Sequence, residues 1–240
     1  MNDIATLLKT TAHRPFPLPT NSWKYYQEWH ETLFYHWSFP QEIIAELLPD
    51  ELEIDTFDGK AWVSLVSSTV KNLRLKFLPT IDALSNFNEV NLRTYVIKDG
   101  KPGMYFFSLE ADKLMSVMMN KTLFGLNYKK AEISRGTHEC SLGNVNDKHF
   151  FYTKYLSLEC LSNKSNLDKW LTERYCIYHK DENTLYKYNV HHEEWQLKNL
   201  KAKKVHLHFQ KGNLILNNCK PDVKHYSPML KVISWGKEKC

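Results

Sequence analysis

The sequence predicts a β-rich α+β fold, an antiparallel β-barrel with a few peripheral helices. Three observations carry the prediction. Two Asp-Gly pairs, Asp58-Gly59 and Asp99-Gly100, each sit between alternating or apolar runs, and glycine accepts the positive φ that a tight hairpin turn needs. Segments dense in aromatic residues recur along a chain with seven Trp and thirteen Tyr, side chains that suit a pleated surface. Helical signals are confined to two or three stretches, and many short strands with few helices suit a closed or nearly closed barrel.

Taken in order, residues 1–22 read as an extended N-terminal arm, because Pro15, Pro17 and Pro19 alternate and forbid a regular helix. Residues 23–240 then read as a single barrel domain, with no flexible linker and no internal repeat. The aromatic stretch Trp23 to Trp37 enters the core. A helix is expected over Pro40–Leu48, capped by Ser38 and ended by Pro49, with Ile43, Ile44, Leu47 and Leu48 as its stripe. LEIDTFDGKAWVSLV and NLRTYVIKDGKPGMYFFSL are the two hairpins. Asp112–Phe124 reads as a helix with Leu114, Met118 and Leu123 apolar, stopped by Gly125. A strand follows over Tyr128–Arg135. HFFYTKYLSLEC is a further strand, Leu167–Glu173 a short helix capped by Asn166, and ERYCIYHKDENTLYKYNVHH a hairpin about Asp181–Asn183. VHLHF, NLILNN and MLKVISW are the last strands.

Composition narrows the function classes. The formal charge of +5 owes much to Lys198, Lys201, Lys203 and Lys204, interleaved with apolar residues as on a solvated strand. No nucleic-acid motif accompanies them, so no nucleic-acid partner is expected. The five cysteines are odd in number and lack Cys-x-x-Cys spacing, which suits free thiols in a reducing compartment. The N-terminus does not have the form of a signal peptide. No apolar run approaches the ~18 residues that a spanning helix needs. The expectation is a cytoplasmic protein without a membrane partner. Homo-oligomerisation stays open.

The polar strand Phe87–Lys98 is the best pointer to a site. Glu89, Asn91, Arg93 and Tyr95 share one face, while Val90, Leu92, Thr94 and Val96 line the other. In a barrel such a face turns to the lumen, where Arg93 is a buried cation that needs a carboxylate. Glu89 is one candidate, and a bound organic acid is the other, since a guanidinium grips a carboxylate with two parallel hydrogen bonds. Glu173 and Arg174 read as a structural clamp. His30 and His36, beside tryptophans, read as core histidines. His206 and His208 share a strand face, with His191, His192 and Glu194 nearby in sequence, but nothing fixes a third ligand and no metal is expected. No phosphate loop or nucleophile elbow is present, Cys140 and Cys176 have no base partner, and no cofactor is implied.

RPFPLP, the Trp29-His30 and His36-Trp37 pairs, LEIDTFDGKAWVSLV, NEVNLRTYV, GMYFFSLEAD, FGLNY, LTERYCIY and HHEEWQL together resemble the YqjF-like uncharacterised bacterial family, from about Arg14 to Trp235. The resemblance implies the acetoacetate decarboxylase-like fold, an antiparallel barrel with a central pocket. Acetoacetate decarboxylases carry a Phe-Gly-Tyr-Pro-Lys-Lys segment. Its first lysine forms a Schiff base with the keto acid and its second lowers the pKa of the first, because only the neutral amine attacks. Here the segment reads Phe124-Gly125-Leu126-Asn127-Tyr128-Lys129-Lys130. Tyr128 falls on the Schiff-base position and Lys129 on the second lysine, unless a bulge restores the register for Lys129 and Lys130. The resulting expectation is a small-molecule binder, for a carboxylic or keto acid. Arg93 would hold the carboxylate, with Glu89, Asn91, Tyr95 and Tyr128 around it. A Schiff-base enzyme using Lys129 or Lys130, with Glu89 assisting, and a non-catalytic interaction protein are the alternatives.

Overall fold

The protein is described by a computed structural model covering residues 2–240, with the backbone alone at residues 2, 3, 123 and 124. The expected positions Leu123 and Phe124 therefore lie outside the described side chains. The elements run α1 (Asn2–Lys9), β1 (Tyr25–Phe39), α2 (Gln41–Ala45), β2 (Glu53–Ile54), β3 (Ala61–Leu75), α3 (Asp82–Ser85), β4 (Phe87–Lys98) and β5 (Lys101–Ala111). Next come α4 (Leu114–Phe124), β6 (Lys129–Lys130), β7 (Glu132–Gly136), β8 (Glu139–Asn144) and β9 (His149–Cys160). The chain ends with α5 (Asn166–Thr172), β10 (Cys176–Asp181), β11 (Thr184–His191), β12 (Lys198–Lys211), β13 (Leu214–Asn217), β14 (Val223–Ser234) and β15 (Glu238–Lys239).

All strands belong to one sheet, and its longest path is β15-β11-β10-β5-β4-β3-β1-β14-β12-β9-β8-β7. β11 also pairs with β14 through Val190–Ser234 and His191–Ile233, so the sheet curls back on itself and is partly closed. Two defects help it bend. Glu31 has φ of 48° where the β1–β3 register shifts, and a second shift between Leu92 and Arg93 leaves Phe107 of β5 without an opposite residue. Bulges of this kind increase local twist and re-aim side chains.

The turns form for the reasons the sequence gives. Asp99 and Gly100 both have positive φ and close the β4–β5 hairpin at Lys98–Lys101. Asp58 and Gly59 also have positive φ, but close only the single Phe57–Lys60 bridge, because β2 leaves to pair with β4. Gly125 ends α4 in the left-handed region, with its N–H on the Lys121 carbonyl. Gly103 is required by close approach, since a Cβ there would stand 2.8 Å from the Cys176 carbonyl oxygen, where β10 runs parallel to β5.

Other boundaries differ from expectation. Residues 2–9 are helical, since the alternating prolines begin only at Pro15 and leave the preceding segment free to coil. α2 stops at Ala45, and Ser38 does not cap it, because its hydroxyl and N–H both bond Asp222 instead. The strand expected over Tyr128–Arg135 is broken at Ala131, where the chain passes from β5 to the β7–β8 hairpin. α5 is capped by Ser165 rather than Asn166, in a reciprocal box with Asp168.

Both faces of β1 are buried. Leu33, Tyr35 and Trp37 join Val63, Leu65, Val90, Leu92, Phe151 and Phe209 in one core. Phe34 points the other way, into a cluster with Val66, Val190, Trp195 and Val232. Leu7 of α1 and Trp23 pack on Tyr26, Ile233 and Trp235, which fastens the N-terminal segment to β14.

Candidate functional site

β4 presents its polar face to the second of these interiors, and the structure divides that face in two. At one end lies a carboxylate site. Asn91 Nδ2 donates to Glu89 Oε1 at 2.9 Å, and the Tyr128 hydroxyl donates to Glu89 Oε2 at 2.6 Å. All three residues are buried. Burial raises the Glu89 pKa, opposed by these two hydrogen bonds and by the charge of Arg93. The Tyr128 hydroxyl is held well above its usual range by burial and by the facing carboxylate. A cavity of about 60 Å³ lies against Glu89 and Tyr128, walled by Trp29, Phe106, Leu126, Ile177 and Val190. That is room for about four waters or one very small molecule.

Arg93 sits in the middle of the face. It is 5% exposed, its Nε has no hydrogen-bond partner, and its Cζ lies 5.8 Å from the Phe34 ring centroid. Among the described residues no carboxylate lies within 4.0 Å of its guanidinium. The expected Arg93–Glu89 contact is therefore not made, although each charge stabilises the other at longer range. Asn91 Oδ1 is likewise buried without a partner.

Tyr95 belongs to a different constellation at the far end. At ~3.3 Å per residue it stands about 20 Å along the strand from Glu89. Its hydroxyl lies 2.8 Å from the Leu171 carbonyl and 2.6 Å from Ser64 Oγ. Ser64 Oγ is 2.6 Å from His36 Nδ1, His36 Nε2 is 3.2 Å from His225 Nδ1, and His225 Nε2 is 2.8 Å from Asp168 Oδ1. Proton counting orders this chain. The Leu171 carbonyl only accepts, so Tyr95 donates to it, Ser64 donates to Tyr95, and His36 Nδ1 donates to Ser64. Burial, His225 and Arg93 depress His36 and keep it neutral, so its Nε2 accepts from His225 Nδ1. Asp168, lowered to about 2 chiefly by its hydrogen bond from His225, accepts from Nε2. Every bond is satisfied only when His225 carries both ring protons. The sequence placed His36 in the core but offered no sign of Ser64, Asp168 or His225. The available signal was that Ser64 and His36 alternate with core residues on their strands.

Lys129 and Lys130 are both exposed, away from the Glu89 cavity. Lys129 Nζ pairs with Asp147 at 2.5 Å, and Lys130 Nζ donates to the Ala131 carbonyl. From this segment Tyr128 turns inward and bonds Glu89, and Leu126 walls the same cavity. Glu173 and Arg174 clamp separate partners. Arg174 Nη1 bonds Asp55 at 2.5 Å and its guanidinium stacks over Tyr95 and Trp170. Glu173 accepts from Lys164, Tyr175 and the Trp195 backbone. His191 and His192 hydrogen-bond to main-chain carbonyls, and His206 and His208 lie apart on β12. The sequence did not anticipate Glu110, Asp147 and His149, whose ligand atoms lie within 4.8 Å of one another. His149 Nδ1 lies on Glu110 and Lys129 on Asp147, so both carboxylates already face basic groups.

Solved structures with this architecture share little sequence with the chain. The enduracididine biosynthesis enzyme MppR, complexed with pyruvate, aligns with TM-score 0.59 and 10% identity, covering 94% of this chain and 93% of that one. A structure described as acetoacetate decarboxylase aligns with TM-score 0.59 and 13% identity, covering 98% and 97%. An acetoacetate decarboxylase-like enzyme from Sphingomonas wittichii RW1 aligns at 0.57 and 12%, covering 96% and 98%. At these identities the likeness shows the fold. In sequence, the chain is 37% identical over 226 residues to the uncharacterized protein YqjF of Bacillus subtilis (strain 168), covering 91% of this chain and 93% of that protein. The DUF2071 model, described as an uncharacterized conserved protein, matches residues 26–231. Sheet path, interior and sequence agree: the chain belongs to the DUF2071 family, and its fold is that of the acetoacetate decarboxylase-like proteins.

Proposed function

We propose that the protein binds a small organic acid within the curl of the sheet, between Glu89 and Arg93. The observation that carries this is the buried Arg93 cation with an orphaned Nε and no carboxylate partner, beside the orphaned Asn91 Oδ1. A buried cation without a carboxylate is costly, even with the Tyr95 hydroxyl and the Phe34 ring beside it, and a guest carboxylate offsets that cost with two charge-assisted hydrogen bonds. Glu89 and Tyr128 form the other polar end of the site, and a ligand carbonyl or hydroxyl meets them there. The pyruvate held by MppR supports a keto acid as the ligand class. Tyr128 supplies a hydroxyl where acetoacetate decarboxylases carry their amine, so binding proceeds without an imine. No lysine lines the cavity at Glu89.

The test is a thermal-shift screen with small carboxylic and keto acids on wild type, Arg93→Gln and Tyr128→Phe. A ligand at a hundredfold excess over its dissociation constant stabilises by about 2.7 kcal/mol. The expected result is a stabilising acid whose effect is lost in a folded Arg93→Gln protein. No stabilisation across the panel, with Arg93→Gln merely less stable, makes Arg93 a structural cation and refutes the reading. Borohydride treatment with each hit separates the alternative, since an adduct on Lys129 or Lys130 means imine chemistry.

A further inference from the structure

α4 is amphipathic in the reverse of the usual sense. Its buried side holds polar Ser116, 0% exposed, and Asn120, 3% exposed, alongside Val117. Its outer side presents Leu114, Met115 and Met118, the last 61% exposed. The two buried polar side chains are satisfied locally, by the Leu84 and Ser116 carbonyls. Nothing in the described chain covers the apolar outer side.

The neighbouring loop between β3 and α3 extends this surface. Phe77 is 88% exposed, and Leu78 and Ile81 are each more than half exposed. Between loop and helix runs an apolar groove of about 470 Å³, lined by Leu75, Leu78, Pro79, Ile81, Met115 and Met119. An exposed apolar surface of this extent marks an interaction site.

Its rim is basic. Exposed Lys113 precedes α4 and exposed Lys121 stands one turn beyond Met118, while half-buried Arg74 and Lys76 flank the loop, stacked on Tyr26 and Trp23. The ion pairs among the described residues involve other lysines, so none of these four is neutralised by a carboxylate. Asp82 is the one exposed acid within α3 or α4. A second copy of the chain, docked about a two-fold axis, would press this basic rim against itself. An anionic surface meets it with opposite charge.

We propose that this face docks on an anionic lipid bilayer. Phe77, Leu78, Met115 and Met118 enter the headgroup layer, and the exposed Lys113 and Lys121 face the lipid phosphates, while Arg74 and Lys76 add positive charge from where they stack on Tyr26 and Trp23. Apolar side chains ringed by cations are the recognised form of such interfacial binding. Among the described residues no helix is long and apolar enough to cross a membrane, which is a separate matter from lying on one. The patch is assembled from residues 77–81 and 114–121, and neither segment is a long apolar run that the sequence would flag.

The experiment is co-sedimentation of the full chain with phosphatidylglycerol-containing vesicles and with pure phosphatidylcholine vesicles, at low and high salt. Wild type is expected to bind the anionic vesicles and to be released by salt. Lys113→Glu and Lys121→Glu should each weaken binding by at least about fivefold, and Phe77→Ser with Met118→Ser by more than about tenfold. The replaced side chains are exposed, so unchanged thermal unfolding verifies the fold. Failure of wild type to bind anionic vesicles overturns the proposal. So does a dimer in sedimentation velocity that Met118→Ser converts to monomer, because a second copy then covers the face.

Discussion

Acid should release the N-terminal segment before it unfolds the sheet. The element responsible is His191. Its Nε2 donates to the Leu7 carbonyl at 2.7 Å, and its Nδ1 accepts from Arg14 Nη1 at 3.0 Å. The Arg14 guanidinium only donates, which fixes the neutral tautomer. Protonating Nδ1 removes that bond and sets two cations together. Burial and the charge of Arg14 accordingly lower the His191 pKa from 6.5 to about 4, with the Leu7 carbonyl opposing. The docked state takes up its proton later than the released state, so docking is strongest above pH 6.5 and weakens as pH falls toward 4. Each pH unit costs at most about 1.4 kcal/mol. At pH 4.5 two units amount to about 2.7 kcal/mol, and solvent screening reduces this to about 2, a roughly thirtyfold loss of protection. Hydrogen exchange of the amides in residues 4–14, corrected for intrinsic rates and compared with β3, reads it directly. His191→Gln should show a much smaller pH effect. Arm amides that keep their protection relative to β3 at pH 4.5 would refute the reasoning.

Tyr128→Phe removes a hydrogen bond to a buried carboxylate and should cost about 1.5–3 kcal/mol in chemical denaturation; no loss would mean that the Glu89 carboxyl is satisfied elsewhere. Arg174→Met strands Asp55 and empties the stack on Tyr95 and Trp170, so a loss of about 3–5 kcal/mol is expected, measurable as a shift in urea midpoint. Asp168 is held at about 2 against an ordinary 3.8, so its contribution is present above pH 3.8 and lost as pH falls toward 2. After allowance for partial exposure it is worth about 1 kcal/mol, and Asp168→Asn should flatten that part of the acid limb.

The local grammar of the chain was legible where one or two residues decide the outcome. Asp99-Gly100 had to turn, and Gly125 had to stop a helix. Ser38 looks like a cap from its position before Pro40, but Asp222, 184 positions away, takes both its hydroxyl and its N–H. The polar face of β4 was visible as an alternation, but its division into a Glu89 end and a Tyr95 end was not. That division depends on Tyr128 arriving from beyond α4 and on His225 arriving from β14, and neither approach leaves a mark on residues 89–95. The lysine pair was countable from Gly125, whereas its exposure follows from the break at Ala131. Arg174 looked like the partner of its neighbour Glu173. In the fold, successive residues at the end of α5 diverge to Asp55 and to Lys164.

The pairing of β1 with β14 has a consequence for synthesis. Tyr25 lies opposite Ser234, so one edge of β1 waits for nearly the whole chain. At the usual ~5–20 residues per second, roughly 10–40 s separate the appearance of the two strands. During that interval β1 can hydrogen-bond to β3 on one side only, and its other edge, carrying Trp29, Leu33, Phe34 and Tyr35, is open to any passing strand. Nascent chains stalled before β14 should therefore be the aggregating species, and a holding chaperone should raise the yield by shielding that edge more than by hastening any later step.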